Sequence, residues 1–519
     1  TRAARQAFLQ PDYMAVKHNP FLLPDMKKAV ARLKQARQRG EKIVIYGDYD
    51  IDGLSATALL LDAFGKFGFE GVDAFIPNRF VEGYGMTMGA VDKVRDMGAD
   101  LIVTVDTGSL CHAEIEYASS LGIDTVVTDH HNVAETPPPS VAAVNPKFSG
   151  HTYPFRDLCG AGVAFKLVQA LQTELDGLPD GYEKWLLDLV ALGTVCDIVT
   201  LADENRANVY WGLEVLKKQQ RPGLKALMAV AGVEPEQVNA RHLGFGLGPR
   251  MNAAGRLETA QHALDMLVAR DGLAALEASK KLEELNVKRR GIQDAIFEEA
   301  CEQAEELADD RVLVVSSGGW NHGVIGIVAS KLVEKYKKPV FIIGERGEEA
   351  TGSARSFGDF SAADAVRAAD DIIIKGGGHG AAAGVTLATE KIGNFRRRVN
   401  EFYDSLQLAN QERYLLPRAD VEIDDFSEIN EELVENLAKM EPFGNGNPEP
   451  VLKIARASVL SMRRMGTDGQ HVKLALRDKN GKVLQMLAFN APEEFFREPG
   501  DEVAAWFQPT INEWQGVRT

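Results

Sequence analysis

No apolar stretch in this 519-residue chain approaches the ~20 residues that a membrane-crossing helix needs, so no such helix is expected. The first residues, TRAARQAFLQPDYM, lack the apolar core of a secretion signal. Cysteine is scarce: Cys111, Cys159, Cys196 and Cys301 lie far apart with no CxxC pair. That excludes a zinc ribbon or a disulfide framework and fits a reducing, cytoplasmic setting. Positive charge is in the minority, with 58 Lys and Arg against 75 Asp and Glu and a formal net charge of −17. The balance argues against broad non-specific binding of nucleic acid, although it leaves room for a local basic groove. Any polyanion would have to be held by metals and a few placed cations. No internal repeat or low-complexity tract is found. The chain opens on Thr and stops at WQGVRT inside a strand-rich stretch, from which further residues are expected beyond both ends. What is present is 45% hydrophobic content with ordinary Gly and Pro usage. That composition suits a globular protein of three or four domains.

From Glu41 to about Ala202 the pattern alternates strand and helix. KIVIYG precedes LSATALLLDAFGKFG, VDAFIP precedes MTMGAVDKVRDMG, LIVTVD precedes AEIEYASSLG, and DTVVTD follows. This alternation predicts right-handed βαβ units in a parallel sheet. VAAVNP, after the rigid TPPPS, reads as one more strand. Two helices are expected over 161–200, with Asp197 near a helix end. Residues 203–308 read as helical, ending in a helix from about Gly272 to Leu307 that would reach on the order of 50 Å. A second α/β pattern occupies 311–408, and 411–420 reads as a linker. Beyond it, HVKLALRD, KVLQMLAFN and DEVAAWFQPTI predict a small antiparallel barrel or sandwich.

Four runs carry the chemistry: GDYDIDG at 47–53, VTVDTG at 103–108, VVTDHHN at 126–132 and GTVCDIV at 193–199. Each sets carboxylates or imidazoles at the end of an apolar segment. In an open parallel sheet the carboxyl ends of the strands share one crevice, so distant segments converge there. Asp48, Asp50, Asp52, Asp106, Asp129, His130, His131 and Asp197 are the hard ligands that divalent cations prefer. The three Asp of GDYDIDG fall at period two and repel one another unless a cation neutralises them. An EF-hand would need Glu where Leu59 stands. Asp129 with two adjacent His suits one imidazole as ligand and a carboxylate orienting an imidazole. A carboxylate-rich set with one or two His favours Mn²⁺ or Mg²⁺ over Zn²⁺. More ligands are available than one octahedral ion needs, so two ions and hydrolysis of a phosphoester or phosphoanhydride are expected.

Candidate phosphate-binding residues follow. Ser353 and Arg355 alternate on one face of a predicted strand, and the Arg fork matches phosphate geometry. GGGHGAAAG at 376–384 reads as a Gly-rich turn carrying His379. GPRMNAAGR sets Arg250, Asn252 and Arg256 in a Gly-bounded loop-helix, and Arg79 follows a strand end. Lys288, Arg289 and Arg290 read as a solvated helix face.

At these residues the chain resembles the DHH phosphoesterase superfamily, named for a triplet that is Asp129–His130–His131 here. GSARS and GGGHGAAAG resemble its accessory DHHA1 domain. GPRMNAAGR, WNHGVIGIVASKL and EPFGNGNPEP resemble segments of its bacterial single-strand-specific DNA exonucleases. The resemblance implies two α/β domains, a parallel-sheet DHH domain and a smaller DHHA1 domain, joined by a long helix and followed by an incomplete OB-like barrel. The implied boundaries are 1–270, 271–308, 309–410 and 411–519. It implies 5′→3′ hydrolysis of single-stranded DNA to mononucleotides in recombination and repair, dependent on two Mn²⁺ or Mg²⁺ ions. By position, Asp50, Asp52, Asp106, His130, His131 and Asp197 match the metal-binding set, with Asp48 and Asp129 supporting them. Arg79, Arg250, Asn252, Arg256, Ser353, Arg355 and His379 would bind substrate, and Trp506, Phe507 and Trp514 would supply base stacking, with core packing expected of at least one of them. A helicase and a single-strand binding protein are the expected partners of a cytoplasmic, nucleoid-associated monomer. Tyr46 stands where many DHH enzymes have His, and TGSLCHAEI after Asp106 departs from the usual form. The competing reading is a DHH phosphodiesterase or oligoribonuclease for short or cyclic nucleotides, which would leave about 200 residues unexplained. A non-catalytic binding scaffold has no reason to keep mutually repelling carboxylates.

Overall fold

Short aliphatic runs with buried side chains become the strands β1 (Ile43–Gly47), β2 (Val72–Phe75), β3 (Leu101–Val105), β4 (Asp124–Thr128) and β5 (Ala142–Val144). All pair in parallel in the order β2-β1-β3-β4-β5. Every residue of β1 and β3 is buried, as expected where helices cover both faces of a sheet. The chain leaves β1 in one direction to β2 and in the other to β3, so a crevice opens at their carboxyl ends. The helix Ile51–Phe67 follows β1, and Gly160–Gln172 and Leu187–Cys196 follow β5. This computed structural model describes residues 2–518 apart from Tyr84, Ala409, Asn410, Gln515 and Gly516, and no side chain of residues 2–4, of Glu412 or from residue 513 onward, which leaves that of Trp514 outside the described residues.

The stretch after Asp203 is helical, and its last helix runs from Gly272 to Glu306. Asp271 caps it, accepting from Leu273 N at 3.0 Å and Ala274 N at 2.9 Å. The second sheet contains β6 (Leu313–Gly318), β7 (Val340–Arg346), β8 (Glu349–Arg355), β9 (Ile373–His379) and β10 (Ala382–Ala388), in the order β6-β7-β8-β10-β9. Only β6 and β7 are parallel. GGGHGAAAG therefore departs from the expected turn. Gly376, Gly377 and Gly378 lie within β9, an exposed edge strand, Gly384 lies within β10, and only Gly380 and Ala381 link the two strands. Alternation is invisible in a run of glycines, which is why a strand there reads as a turn.

By compactness the chain divides into two units. One is Lys17–Val199 with Asp203–Tyr414; the other takes the N-terminal residues up to Val16, Thr200–Ala202 and the chain from Leu415 onward. The residues up to Val16, with buried Pro11 and Tyr13, fall by compactness in the second unit. That second unit holds β11 (Val421–Ile423), β12 (Leu452–Met465), β13 (His471–Arg477), β14 (Val483–Ala488) and β15 (Glu502–Phe507), ordered β11-β12-β13-β14 with β15 on the other side of β12. Leu452, Ile454, Ala457 and Val459 of β12 pack around Phe426, with Phe507 against them. Phe507 is thereby core, whereas Trp506 is 37% exposed with Lys453 Nζ 5.6 Å from its ring centroid.

Candidate metal centre

The residues after β1, β3 and β4 and at the end of the helix Leu187–Cys196 converge as the topology requires. Asp50 caps the helix Ile51–Phe67, its Oδ1 accepting from Asp52 N at 2.9 Å and Gly53 N at 3.2 Å, which leaves Oδ2 for another partner. Asp52 is buried one residue inside that helix. Its carboxylate lies on the N-terminus of the helix Gly160–Gln172, accepting from Gly160 N and, at 2.8 Å, from Ala161 N. A helix N-terminus favours a negative group there. Asp106 follows β3 with φ +59°, a left-handed conformation that Asp tolerates better than most residues. Asp197 ends the helix Leu187–Cys196.

The approach is too close for side chains at two glycines. A Cβ on Gly160 would sit 2.5 Å from the Asp106 Cβ, and one on Gly193 would sit 2.4 Å from Asp52 Oδ1.

His130 Nε2 faces three carboxylates: Asp106 at 3.0 Å, Asp197 at 3.5 Å and Asp52 at 3.7 Å. Asp129 lies behind the imidazoles. Its Oδ1 accepts from the His130 and His131 amides at 2.7 and 3.1 Å and from His131 Nδ1 at 2.9 Å, and its Oδ2 accepts from Ser109 N at 2.9 Å. Three overlapping groups have ligand atoms within 4.8 Å of one another: Asp106–His130–His131, Asp52–His130–Asp197 and Asp48–Asp50–Asp106. Asp106 belongs to two of them and His130 to two, so the set spans more than one cation position. Asp48, expected to stand behind the ligands, lies with Asp50 and Asp106 at ligand distance.

The electrostatics show what the cluster lacks. Burial and then Asp50 push Asp48 up to about 8 and Asp52 up to about 6, and burial and then Asp52 push Asp197 up to about 8. Asp106 is raised well above the carboxylate range by burial and by Asp52, Asp50 and Asp48. Burial lowers His130 to about 3, leaving a neutral imidazole. For His131 burial is outweighed by the hydrogen bond and charge of Asp129, which raise it to about 9. Burial likewise opposes ionisation of Asp129, but the bonds from His131 and Ser109 hold it below the usual carboxylate range. Asp48 Oδ1, Asp106 Oδ1 and His130 Nε2 are buried atoms without a hydrogen-bond partner. Orphaned oxygens and a neutral ring nitrogen, crowded together, are the donor set that one or two divalent cations satisfy. The residues fit the metals that the sequence implies.

Beside this cluster stands a group of arginines. Arg79 lies 4.4 Å over the ring of Tyr49, between Asp48 and Asp50. Arg256 is held down to about 10 by burial and then by Arg79, Arg289 and Arg355. None of these four pairs with a carboxylate among the described residues. Arg256 Nη1 donates to Gly323 O at 2.9 Å, tying NAAGR to WNHG. Arg355 Nη1 donates to Ser353 Oγ at 3.2 Å, and the helix Ile325–Tyr336 begins against both residues. His379 pairs through Ala382 with Arg355 across β9, β10 and β8, about 10 Å away at two strand spacings. Arg250 is engaged elsewhere, donating to Gly246 O at 2.7 Å and pairing with Glu283 at 2.5 Å. Asn252 is half-buried and four residues before Arg256, hence on the same helix face.

Arg289, expected on a solvated face, is a correction. It is buried on the Gly272–Glu306 helix and donates to Asn286 Oδ1 at 2.6 Å and Gln293 Oε1 at 2.7 Å. A signal existed, since Arg289 falls on the buried stripe of Leu282, Leu285 and Ile296. Lys288 and Arg290 are exposed as expected. Tyr46 is buried beneath β1's carboxyl end, its hydroxyl donating to Gly85 O at 3.0 Å. The helix amides on Asp52 had no sequence signal, because backbone donors carry none.

A parallel sheet with aspartates and histidines at its strand ends, joined to a mixed-sheet domain whose Arg355 lies with Arg79, Arg256 and Arg289, defines a DHH-type phosphoesterase fold. Residues 42–194 match the DHH family, N-terminal domain; 309–405 match the DHHA1 domain; and 419–519 match the RecJ OB domain. The chain belongs to the RecJ family. It is 34% identical over 524 residues to the single-stranded-DNA-specific exonuclease RecJ of Escherichia coli K12, covering 96% of this chain and 89% of that protein. With the RecJ of Bacillus subtilis strain 168 it shares 39% identity over 506 residues, 96% of this chain and 62% of that protein, so it spans about three fifths of that relative. The crystal structure of RecJ in complex with Mn²⁺ from Thermus thermophilus matches with TM-score 0.79 and 31% identity, over 96% of this chain and 70% of that one. A crystal structure of exonuclease RecJ bound to manganese matches with TM-score 0.66 and 33% identity, over 75% and 97%.

Proposed function

We propose that this chain is a metal-dependent exonuclease that degrades single-stranded DNA from its 5′ end to mononucleotides with two Mn²⁺ or Mg²⁺ ions. One observation carries the reading: Arg79, one of four arginines without a carboxylate partner, stands over Tyr49 between two aspartates of the metal cluster. A terminal phosphate held by the arginines would set the first phosphodiester at the carboxylates. The names of the relatives support the substrate, and the manganese and magnesium structures from Thermus thermophilus support the ions.

Asp50, Asp52, Asp106, His130, His131 and Asp197 would hold the ions, with Asp48 beside them. Ions bound there offset the charge of the phosphodiester and lower the pKa of water. The chain's own groups prepare the site. Asp129 accepts from His131 Nδ1, which fixes the ring in place with Nδ1 3.7 Å from Asp106 Oδ1. The Gly160 and Ala161 amides hold the Asp52 carboxylate in one orientation. Arg79, Arg256, Arg355 and Ser353 bind phosphate, Asn252 and His379 extend that surface, and Arg250 braces the GPRMNAAGR helix against Glu283. The sheet of β11 to β15, which matches the RecJ OB domain, also grips single-stranded DNA. Four unbridged cysteines support a cytoplasmic place of work, and no described helix is long and apolar enough to cross a membrane. Recombination and repair, a monomeric state, and a helicase and a single-strand binding protein as partners belong to the same proposal.

End-labelled single-stranded DNA, duplex DNA and RNA incubated with Mn²⁺ or Mg²⁺ test it. Mononucleotides should leave the single strand from its 5′ end, faster when that end carries phosphate. Equal rates on phosphorylated and hydroxyl ends would reject the arginine assignment. Faster cleavage of a dinucleotide than of a long strand would favour the short-substrate reading instead.

A further inference from the structure

Phe245 is 81% exposed, the highest value among the large apolar side chains of the described residues. It stands in a π-helical turn, His242–Leu247, that runs directly into the GPRMNAAGR helix. Such turns are rare and often mark functional sites. The turn packs against the last residues before the metal-cluster aspartate: Cys196 Sγ donates to Leu243 O at 3.6 Å, and a Cβ on Gly244 would lie 3.6 Å from Val195 Cγ1. Glycines at 244 and 246 leave Phe245 without side-chain neighbours in sequence. Three residues after Val195, Ile198 is 69% exposed at φ +59°, a costly conformation for a β-branched residue. Two exposed apolar side chains are thus carried by segments at the end of the helix that supplies Asp197.

We propose that Phe245 stacks on one nucleobase of the bound strand, beside the scissile nucleotide, with Ile198 against the same base. The inference rests on the strand-degrading reading above. An aromatic face suits any base, so this contact holds the strand in register without selecting sequence. On that reading the arginines serve the phosphates, and the π-turn that carries Phe245 is held on Val195 and Cys196 at the end of the Asp197 helix, which points to the bases as the remaining apolar ligand.

The test walks a single abasic site through the first five positions of a 5′-phosphorylated strand and measures kcat/KM for the wild type, Phe245→Ala, Phe245→Leu and Phe245→Trp. The wild type should be slowed on the order of tenfold at one position only. Phe245→Ala and Phe245→Leu should be slowed similarly on intact DNA, show no further loss at that position, and melt at the wild-type temperature. Phe245→Trp should retain the wild-type pattern. A strand carrying 2-aminopurine at that position, bound in EDTA, should be quenched by the wild type and not by Phe245→Ala. Loss of rate that is uniform across all abasic positions, unchanged quenching, or full activity of Phe245→Ala would overturn the proposal. So would an effect of Phe245→Ala on oligomeric state alone, by light scattering. A wild type that degrades no strand and quenches no probe removes the exonuclease reading, and this contact with it.

Discussion

Asp106 concentrates the conflict at the metal centre in one side chain. It is buried, left-handed, within 3.0 Å of His130 Nε2, and shared by two ligand groups. Asp106→Asn keeps the shape and removes the charge. Turnover should fall about a thousandfold, while affinity for a single strand changes little. In EDTA near neutral pH the same variant should melt higher than the wild type, because Asp106 must take up a proton on folding and Asn need not. The raised carboxylates carry a pH signature. Asp52 at about 6 and Asp48 and Asp197 at about 8 keep protons in the metal-free folded state that an unfolded chain releases near pH 4. Their stabilising contribution is therefore complete below about pH 4 and is lost as pH rises through about 8. The melting temperature in EDTA should fall between pH 5 and 8, and saturating Mn²⁺ should flatten or reverse that fall. A metal-free protein whose stability rises over this range would contradict the clustering of these groups.

At the level of elements, the helix Gly160–Gln172 does what no side chain in the four motifs can do. It presents two amides to Asp52 and lets Asp106 approach within the space of a missing Cβ. Gly160→Ala should lower Mn²⁺ affinity by 10- to 100-fold, by calorimetry, with helix content unchanged by circular dichroism. Alanine is the better helix former, so a loss of metal affinity would report the close approach and not the helix. The elements were largely legible from pattern, since β1 to β5 are aliphatic runs and the Gly272–Glu306 helix has a capping Asp271 and no Pro. β9 was not, because its glycines carry no alternation to read. Arg289 was misread for a related reason: charge outweighed its position on a buried stripe.

Over the whole molecule, 75 acidic residues exceed 58 basic ones, so any affinity for the proposed strand must come from placed cations. If Arg79, Arg256, Arg289 and Arg355 all meet phosphates, the logarithm of affinity should fall with the logarithm of salt at a slope near −3 or steeper, about 0.7 per phosphate neutralised. Arg256→Ala should reduce that slope by about 0.7, and a slope near zero would sink the arginine group as a phosphate surface. Which side chains gather at the strand ends was readable from the chain alone: the aspartates and paired histidines announce themselves because strand ends and helix caps have local signatures. Their pairwise distances, the engagement of Arg250 by Glu283, the burial of Arg289 and the exposure of Phe245 were decided only in three dimensions. Local sequence sets what each segment can form. Contacts between segments hundreds of residues apart depend on packing that no single segment encodes.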